Sequence, residues 1–185
     1  MDISLTIAKC LAGNQLAQRK LYEYFLPYAL TVTRRYCVAS RYQADVVQEI
    51  FTEVFAKLAT FDPEKGKLST WFRTISVRRT VDFQRRHEKL RMTSLVAVLP
   101  ERTPTAPLEL DNVPTDELFA AFAALPPGFR TVFNLYAVDG YSHKEIAAML
   151  RITPAGSRSQ YARARERLRK HLQSSKKKRL AHEYC

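Results

Sequence analysis

The sequence is poor in the residues that build cofactor and metal sites. It has five glycines in 185 residues, and because none forms a GxGxxG motif or a phosphate loop, nucleotide-dependent chemistry has no support. Its three cysteines, Cys10, Cys37 and Cys185, form no CxxC pair, which argues against a disulfide framework and a zinc site. His182 and Cys185 alone supply too few ligands for a closed site. We therefore predict no metal and no cofactor.

Long apolar runs and catalytic clusters are missing as well. No apolar stretch approaches the roughly 20 residues of a transmembrane helix, and the first residues lack the basic and apolar pattern of a signal peptide. We therefore expect a cytoplasmic protein with no membrane insertion. Its four histidines have no evident carboxylate partner, so we predict that the chain is not an enzyme. Hydrophobic residues make up 46% of the sequence, which is enough for a folded core.

Positive charge is concentrated in two separate blocks. The formal net charge of +12 divides into +7 over residues 65–92 and +9 over residues 151–185, whereas the remaining segments are neutral or acidic. Blocks of this kind attract polyanions, of which nucleic acid is the commonest and anionic lipid the second. A solvated surface explains one charged run better than it explains two.

Four prolines mark a linker in the middle of the chain. They fall within fifteen residues, at positions 100, 104, 107 and 114, and proline disfavours helix both at its own position and at the one before. We therefore predict a linker over residues 93–114 between two helical lobes, residues 1–92 and 115–173. Residues 174–185 are predicted to form a mobile basic tail.

The first lobe shows the apolar spacing of helices and no strand pattern. The period predicts one amphipathic helix over residues 43–59 and another over 69–91, separated by a tight loop that Asp62-Pro63 and Gly66 indicate. Upstream, residues 16–39 predict one or two helices interrupted near Pro27. The predicted fold class is all-α, with two small helical domains.

The second lobe carries clear helix-start signals. Ser142 and Glu145 form a capping box for a helix that ends near residue 150, and Thr153-Pro154 begins another helix over about 154–172. So short a turn indicates a helix-turn-helix. In the second helix, Arg158 fits guanine and Gln160 fits adenine. The alternative is an arginine-rich surface helix without specificity.

Aromatic residues alternate with basic ones between residues 61 and 86. The aromatic side chains are those of Phe61, Trp71, Phe72 and Phe83. Such a mixture suits single-stranded or opened DNA, because bases stack on aromatic faces while cations follow the backbone. The residues alone fit a second interpretation equally well, in which these aromatics fill the core.

Several motifs, in this order, resemble those of extracytoplasmic-function (ECF) sigma factors. The motifs that resemble region 2 are residues 43–51 (QADVVQEIF), 61–66 (FDPEKG), 69–75 (STWFRTI) and Asp82. Region 4 is resembled by residues 125–136 (LPPGFRTVFNLY), 140–147 (GYSHKEIA) and 161–165 (YARAR), in a style similar to Bacteroidetes members. The resemblance covers about four-fifths of the chain, and the predicted linker lies where the family has one.

The resemblance implies a bacterial transcription-initiation subunit that binds core RNA polymerase and promoter DNA, with an anti-sigma factor as a further partner. It implies binding to the clamp helices of the largest polymerase subunit through Asp45, Gln48, Glu49 and Phe51. It implies capture of the opened minus-ten strand through Phe61, Lys65, Lys67, Trp71, Arg73, Arg78 and Arg79. It implies reading of the minus-thirty-five duplex through Arg158, Ser159, Gln160, Arg163 and Arg165.

Two other functions fit parts of the sequence. A stand-alone helix-turn-helix regulator would need a dimerisation surface to read two half-sites, and no heptad seam is present. A membrane-surface or RNA-binding adaptor would work through the basic residues 176–179.

Three positions depart from the family pattern. Arg78 replaces a common asparagine near the flipped base, and Ala155 replaces a glycine at a helical position where alanine should be harmless. Arg151 replaces a turn glycine, which costs about 1 kcal/mol if the position has a positive φ.

Overall fold

The computed structural model describes residues 3–36, 39–87 and 115–183, and these ranges contain helices and turns but no strand. The all-α fold class is therefore confirmed. The helices are α1 (Ile3–Leu11), α2 (Gln15–Arg35), α3 (Ser40–Lys57), α4 (Leu68–His87), α5 (Thr115–Ala123), α6 (Pro127–Phe133), α7 (His143–Leu150) and α8 (Pro154–Glu183). They form two compact units, α1–α4 and α5–α8. The predicted linker lies outside the described residues.

The core of the first unit is a cluster of phenylalanines shared by α2, α3 and α4. Phe25 and Phe72 stack with their ring centroids 4.2 Å apart, and Phe51 lies 5.5 Å from Phe72. The Gln84 side chain of α4 donates to the Tyr36 carbonyl just after α2, and both residues are buried. This bond gives an interior amide a partner, so it does not carry the cost of an unpaired buried group.

Two features of the first unit differ from the sequence prediction. Helix α1 was not predicted, and α2 is one continuous helix with Pro27 inside it. Pro27 is exposed, so the carbonyl that loses its helical hydrogen bond faces water. Leu21, Phe25 and Ala29 follow each other at four-residue spacing on the buried side. Their packing keeps α2 intact across the proline.

The loop before α4 has the predicted tight form. The Asp62 side chain accepts from the Glu64 backbone N–H at 3.0 Å, and Pro63 opens a 3₁₀ turn over Pro63–Lys65. Gly66 follows with φ 151°, a conformation that residues with a Cβ atom rarely adopt. This turn fixes the start of α4.

The second unit is built on α8, which packs against α5, α6 and α7. Phe122, Phe133 and Leu168 are buried at its centre. The buried Arg130 guanidinium donates from Nη2 to the Leu125 carbonyl at 2.9 Å, across the turn between α5 and α6. After α6 the chain widens into a π-helical turn over Asn134–Val138.

The helix-turn-helix has the predicted caps. Ser142 and Glu145 form the capping box of α7, and the Gly156 backbone N–H donates to Thr153 Oγ1 at 2.9 Å at the start of α8. Arg151 has φ 56° and ψ 46°, so the condition under which this residue costs about 1 kcal/mol relative to glycine is met. Helix α8 runs to Glu183, beyond the predicted end at residue 172, so the backbone of residues 174–183 is helical.

Candidate nucleic-acid interface

The outer face of α3 presents polar side chains next to the core of the first unit. Asp45 and Gln48 are exposed one turn apart, whereas Val46 and Val47 between them are buried. Glu49 is partly exposed, and its Oε2 accepts from Arg86 Nη2 of α4 at 2.6 Å. Two of the four residues predicted to bind polymerase are therefore open to a partner, and a third is shared with α4.

Phe51 does not belong to that face. Its side chain is 4% exposed, and its ring lies 4.3 Å from the ring of Tyr22 and against the rings of α4. The period that exposes Asp45 and Gln48 turns position 51 into the core, and the direct contact of Phe51 with polymerase stays a prediction. Phe51 holds α3 in place.

The loop and the first turns of α4 bring aromatic and basic groups together. The rings of Phe61 and Trp71 meet edge to face with centroids 5.8 Å apart, and both side chains are only partly buried. Phe72 and Phe83 are fully buried. Each interpretation of the aromatics therefore holds for two of them: Phe72 and Phe83 fill the core, whereas Phe61 and Trp71 lie near the surface beside the loop.

The basic residues of this surface differ in their surroundings. Lys67 and Arg78 are exposed, and Arg73 is half-buried. Lys65 Nζ lies 3.1 Å from Asp62 Oδ2 within the loop. Arg79 donates from Nε to Glu53 of α3. The structure therefore places all seven predicted minus-ten residues on the loop or on α4. Among their charges, those of Lys65 and Arg79 are paired with carboxylates of this chain.

The first turns of α8 carry the candidate base-reading residues. Arg158 is exposed and Ser159 is half-buried. Further along, Arg163 and Arg165 are half-exposed, and the Arg165 guanidinium lies 5.8 Å from the centroid of the Tyr161 ring. The Tyr161, Ala164 and Leu168 side chains face the unit's core, so the arginines lie around the remaining surface as the sequence predicts.

Gln160 is half-buried on α8, like its neighbour Ser159. Its Oε1 atom is buried and accepts no hydrogen bond from the part of the chain that the structure describes. It lies close to Gly128, where an added Cβ atom would be 3.4 Å away. Position 160 shares a helical face with buried Ser157 and Ala164. Pairing with adenine uses both ends of the amide, so Gln160 would have to turn its buried Oε1 outward, and its role in base reading stays a prediction.

A cluster that the sequence did not reveal joins α7 to α8. The His143 ring stacks on Tyr136, with centroids 4.2 Å apart and planes 10° apart, and its Nδ1 lies 2.9 Å from Oγ of the buried Ser157. Burial lowers the pKa of His143, and the positive charge of Arg158 lowers it further. The Ser142 cap places His143 at the helix start, but the π-helical turn that supplies Tyr136 has no sequence signal that we recognised.

Comparison with known proteins identifies these two units. The Sigma-70 region 2 family model matches residues 21–90, and the Sigma-70 region 4 model matches residues 115–168. The chain belongs to the sigma-70 family, in its ECF group. Region 2 of this ECF chain thus contains α3 and α4, and region 4 contains the helix-turn-helix.

Two relatives illustrate the extent of the similarity. The chain is 32% identical over 136 residues to the ECF RNA polymerase sigma factor SigE of Mycolicibacterium smegmatis, covering 69% of this chain. It spans about half, 51%, of that relative's length. It is 22% identical over 162 residues to the ECF RNA polymerase sigma factor RpoE of Cereibacter sphaeroides, covering 86% of this chain and 88% of the relative.

A solved structure supports the fold. RpoE of Bartonella quintana, solved in complex with the anti-sigma factor NepR, matches with a TM-score of 0.52 and 20% identity. The match covers 84% of this chain and 96% of that one. Among the helices described for this ECF chain, none is long and apolar enough to span a membrane.

Proposed function

We propose that this protein is an RNA polymerase sigma factor, which binds core polymerase and directs promoter recognition, DNA opening and the initiation of transcription. One observation carries the proposal: a single chain holds a region 2 unit with surface aromatics among cations and a separate region 4 unit with a capped helix-turn-helix. A protein that only reads duplex DNA needs the second unit alone. The names of the relatives, ECF RNA polymerase sigma factors, agree with this function.

The first unit would make two of the contacts. Asp45 and Gln48, exposed on α3, would bind the clamp helices of the largest polymerase subunit, with Glu49 at the border of that contact. Phe61 and Trp71 would receive an unpaired base of the opened minus-ten strand, because an aromatic face stacks on bases of any sequence. The residues that would neutralise its phosphates are Lys65, Lys67, Arg73, Arg78 and Arg79.

The second unit would read the minus-thirty-five duplex. Arg158 is exposed in the first turns of α8, the part of a recognition helix that reaches base edges in the major groove. Ser159 would assist it. Arg163 and Arg165, further along the helix, would contact phosphates, which strengthens binding without specifying sequence.

The proposal includes the catalytic and regulatory partners. Core polymerase would supply all of the chemistry, and this chain, acting in the cytoplasm, would supply no catalytic group. The Bartonella RpoE structure contains an anti-sigma factor, and we extend a partner of that kind to this protein. Such a partner would act by covering the DNA-binding or polymerase-binding surfaces.

Run-off transcription tests the proposal. Purified core polymerase from the same organism is supplied with a genomic promoter library, with and without this protein. We expect initiation at a discrete set of promoters, and we expect the variant Asp45→Ala with Gln48→Ala to abolish it. Glu23→Ala, an exposed acidic residue of α2 away from that face, is the control and should keep full activity. An inactive core polymerase, combined with binding of the protein alone to particular duplexes, would establish a stand-alone regulator instead.

A second experiment tests the role of α8. Changing Arg158 to Ala should cost about 1–3 kcal/mol of discrimination at one base pair. Changing Arg165 to Ala should weaken binding to all sequences alike. Uniform weakening by Arg158→Ala would refute the base-reading role of that residue.

A further inference from the structure

A network of three charges connects α3 to α4 in the first unit. Glu53 accepts from Lys57 Nζ through Oε1 at 2.6 Å and from Arg79 Nε through Oε2. Its side chain is only 13% exposed. A carboxylate so far removed from water would be costly without partners, so the two cations compensate its burial and hold its side chain in one place.

Glu53 binds Arg79 at Nε, which leaves the terminal nitrogens of the guanidinium for another ligand. Nε carries one of the five N–H donors of arginine, and the other four lie on the two terminal nitrogens. Glu53 therefore fixes the base of the guanidinium plane and occupies only one donor. The Arg79 side chain is 36% exposed, and the next residue along α4, Arg78, is exposed as well.

We propose that Glu53 is a positioning residue for promoter opening, which orients the Arg79 guanidinium so that its terminal nitrogens bind a phosphate of the opened strand. The inference rests on the proposed function of the first unit. It assigns a role to a residue of the polymerase-facing helix that makes no contact with DNA itself. Glu53 thereby adds a second carboxylate bridge between α3 and α4, besides the pair of Glu49 with Arg86.

The direction in which one substitution changes DNA affinity distinguishes this role from simple charge repulsion. A carboxylate that is merely close to DNA repels phosphates, so neutralising it should tighten binding. A carboxylate that orients Arg79 should have the opposite effect, because its loss releases a flexible side chain that must then be ordered on binding. Glu53→Gln removes the charge and leaves one acceptor oxygen in place of two, so the side chain can no longer accept from both Lys57 and Arg79.

The test uses holoenzymes assembled from core polymerase and full-length variants. The template is a pre-opened bubble carrying a promoter from the run-off library, and the apparent Kd is measured over a series of salt concentrations. We expect Glu53→Gln to weaken binding about threefold to tenfold, the loss of one charge-assisted contact. The plot of log affinity against log salt should become less steep by about 0.7, the value for one phosphate of a single strand.

Two companion variants complete the design. Glu53→Gln combined with Arg79→Gln should bind no more weakly than Arg79→Gln alone, because the first residue acts through the second. Glu23→Gln is the charge-matched control: Glu23 pairs with Arg19 on exposed α2 at 2.8 Å, and its neutralisation should change the Kd less than twofold.

Several results would overturn the inference. Binding by Glu53→Gln as tight as wild type, additive losses in the double variant, or an unchanged salt slope would each do so. Should Glu53→Gln fail to fold, Arg79→Lys decides: it keeps the charge but lacks Nε, so we expect it to bind as weakly as Arg79→Gln, and wild-type affinity would refute the positioning role. A wild-type chain that selects no promoter would remove the proposed function together with this inference, whereas active promoters with an unaffected Glu53→Gln would remove the inference alone.

Discussion

Replacing Arg151 with glycine should stabilise the second unit. Arg151 ends α7 at φ 56° and ψ 46°, where its backbone N–H donates to the Ala147 carbonyl. A residue with a Cβ atom pays about 1–2 kcal/mol for this left-handed conformation. Glycine removes that strain but has more freedom in the unfolded chain, which offsets about 0.5–1 kcal/mol. We expect a net gain of about 0.5–1 kcal/mol.

The gain is measurable by calorimetry on the full chain. For a unit of this size, 1 kcal/mol corresponds to a Tm rise of about 4–8 °C, so the second unit's transition should rise by about 2–8 °C. Because two units can unfold separately, hydrogen exchange of the Ile152 amide, which donates to the Ala147 carbonyl at 3.0 Å, assigns the transition.

Two control variants isolate the backbone effect. Arg151→Ala retains the Cβ atom and should give no gain. Gly140→Ala should be the reverse case, since Gly140 has φ 77° and open space around an added Cβ, and it should lose about 1 kcal/mol. Equal shifts for Arg151→Gly and Arg151→Ala would show that loss of the side chain, rather than relief of the backbone, explains the result, and the reasoning would be refuted.

Three further predictions concern stability. Burial and Arg158 lower the pKa of His143 in the folded chain. Its stabilising contribution is therefore complete above the unfolded pKa of about 6.5 and is lost as pH falls through the lowered folded pKa. Urea unfolding of the second unit at several pH values should show this loss, and His143→Phe should remove it; an identical pH dependence in both proteins would contradict the assignment. Ser142→Ala should cost about 1 kcal/mol in the same urea assay through loss of the capping box, and a change below 0.3 kcal/mol, taken as roughly the error of such a fit, would show that the cap is not needed. Phe51→Ala should cost about 3–5 kcal/mol in the first unit, with any loss of polymerase binding following the unfolded fraction; full stability with lost binding would support the predicted contact of Phe51 with polymerase.

Local signals were sufficient to predict the elements of the helix-turn-helix. Ser142 and Thr153 each satisfy a backbone N–H within three residues of their own position, so a cap can be recognised without knowledge of the fold. The break expected at Pro27 was wrong because a local rule was overridden by the packing of α2 on the core, which depends on other helices.

The candidate site was less predictable because its decisive contacts join residues far apart in sequence. Helical period alone identifies a buried face, yet the family motif placed Phe51 among the polymerase contacts, although its side chain lies in the core. The pair of Glu53 with Arg79 spans 26 positions, and that of His143 with Ser157 spans 14. Such pairings depend on how helices pack, which no short motif encodes.

The length of α8 determines where its positive charges can act. The helix is continuous from Pro154 to Glu183, and at 1.5 Å per residue Arg158 and the end of the basic run at residue 179 are separated by about 30 Å along its axis. That distance equals roughly nine base pairs of duplex DNA. A continuous helix holds its first and last turns at this separation. In the proposed function, a partner that binds the last turns of α8 would therefore change the orientation of its first turns in the major groove without contacting them.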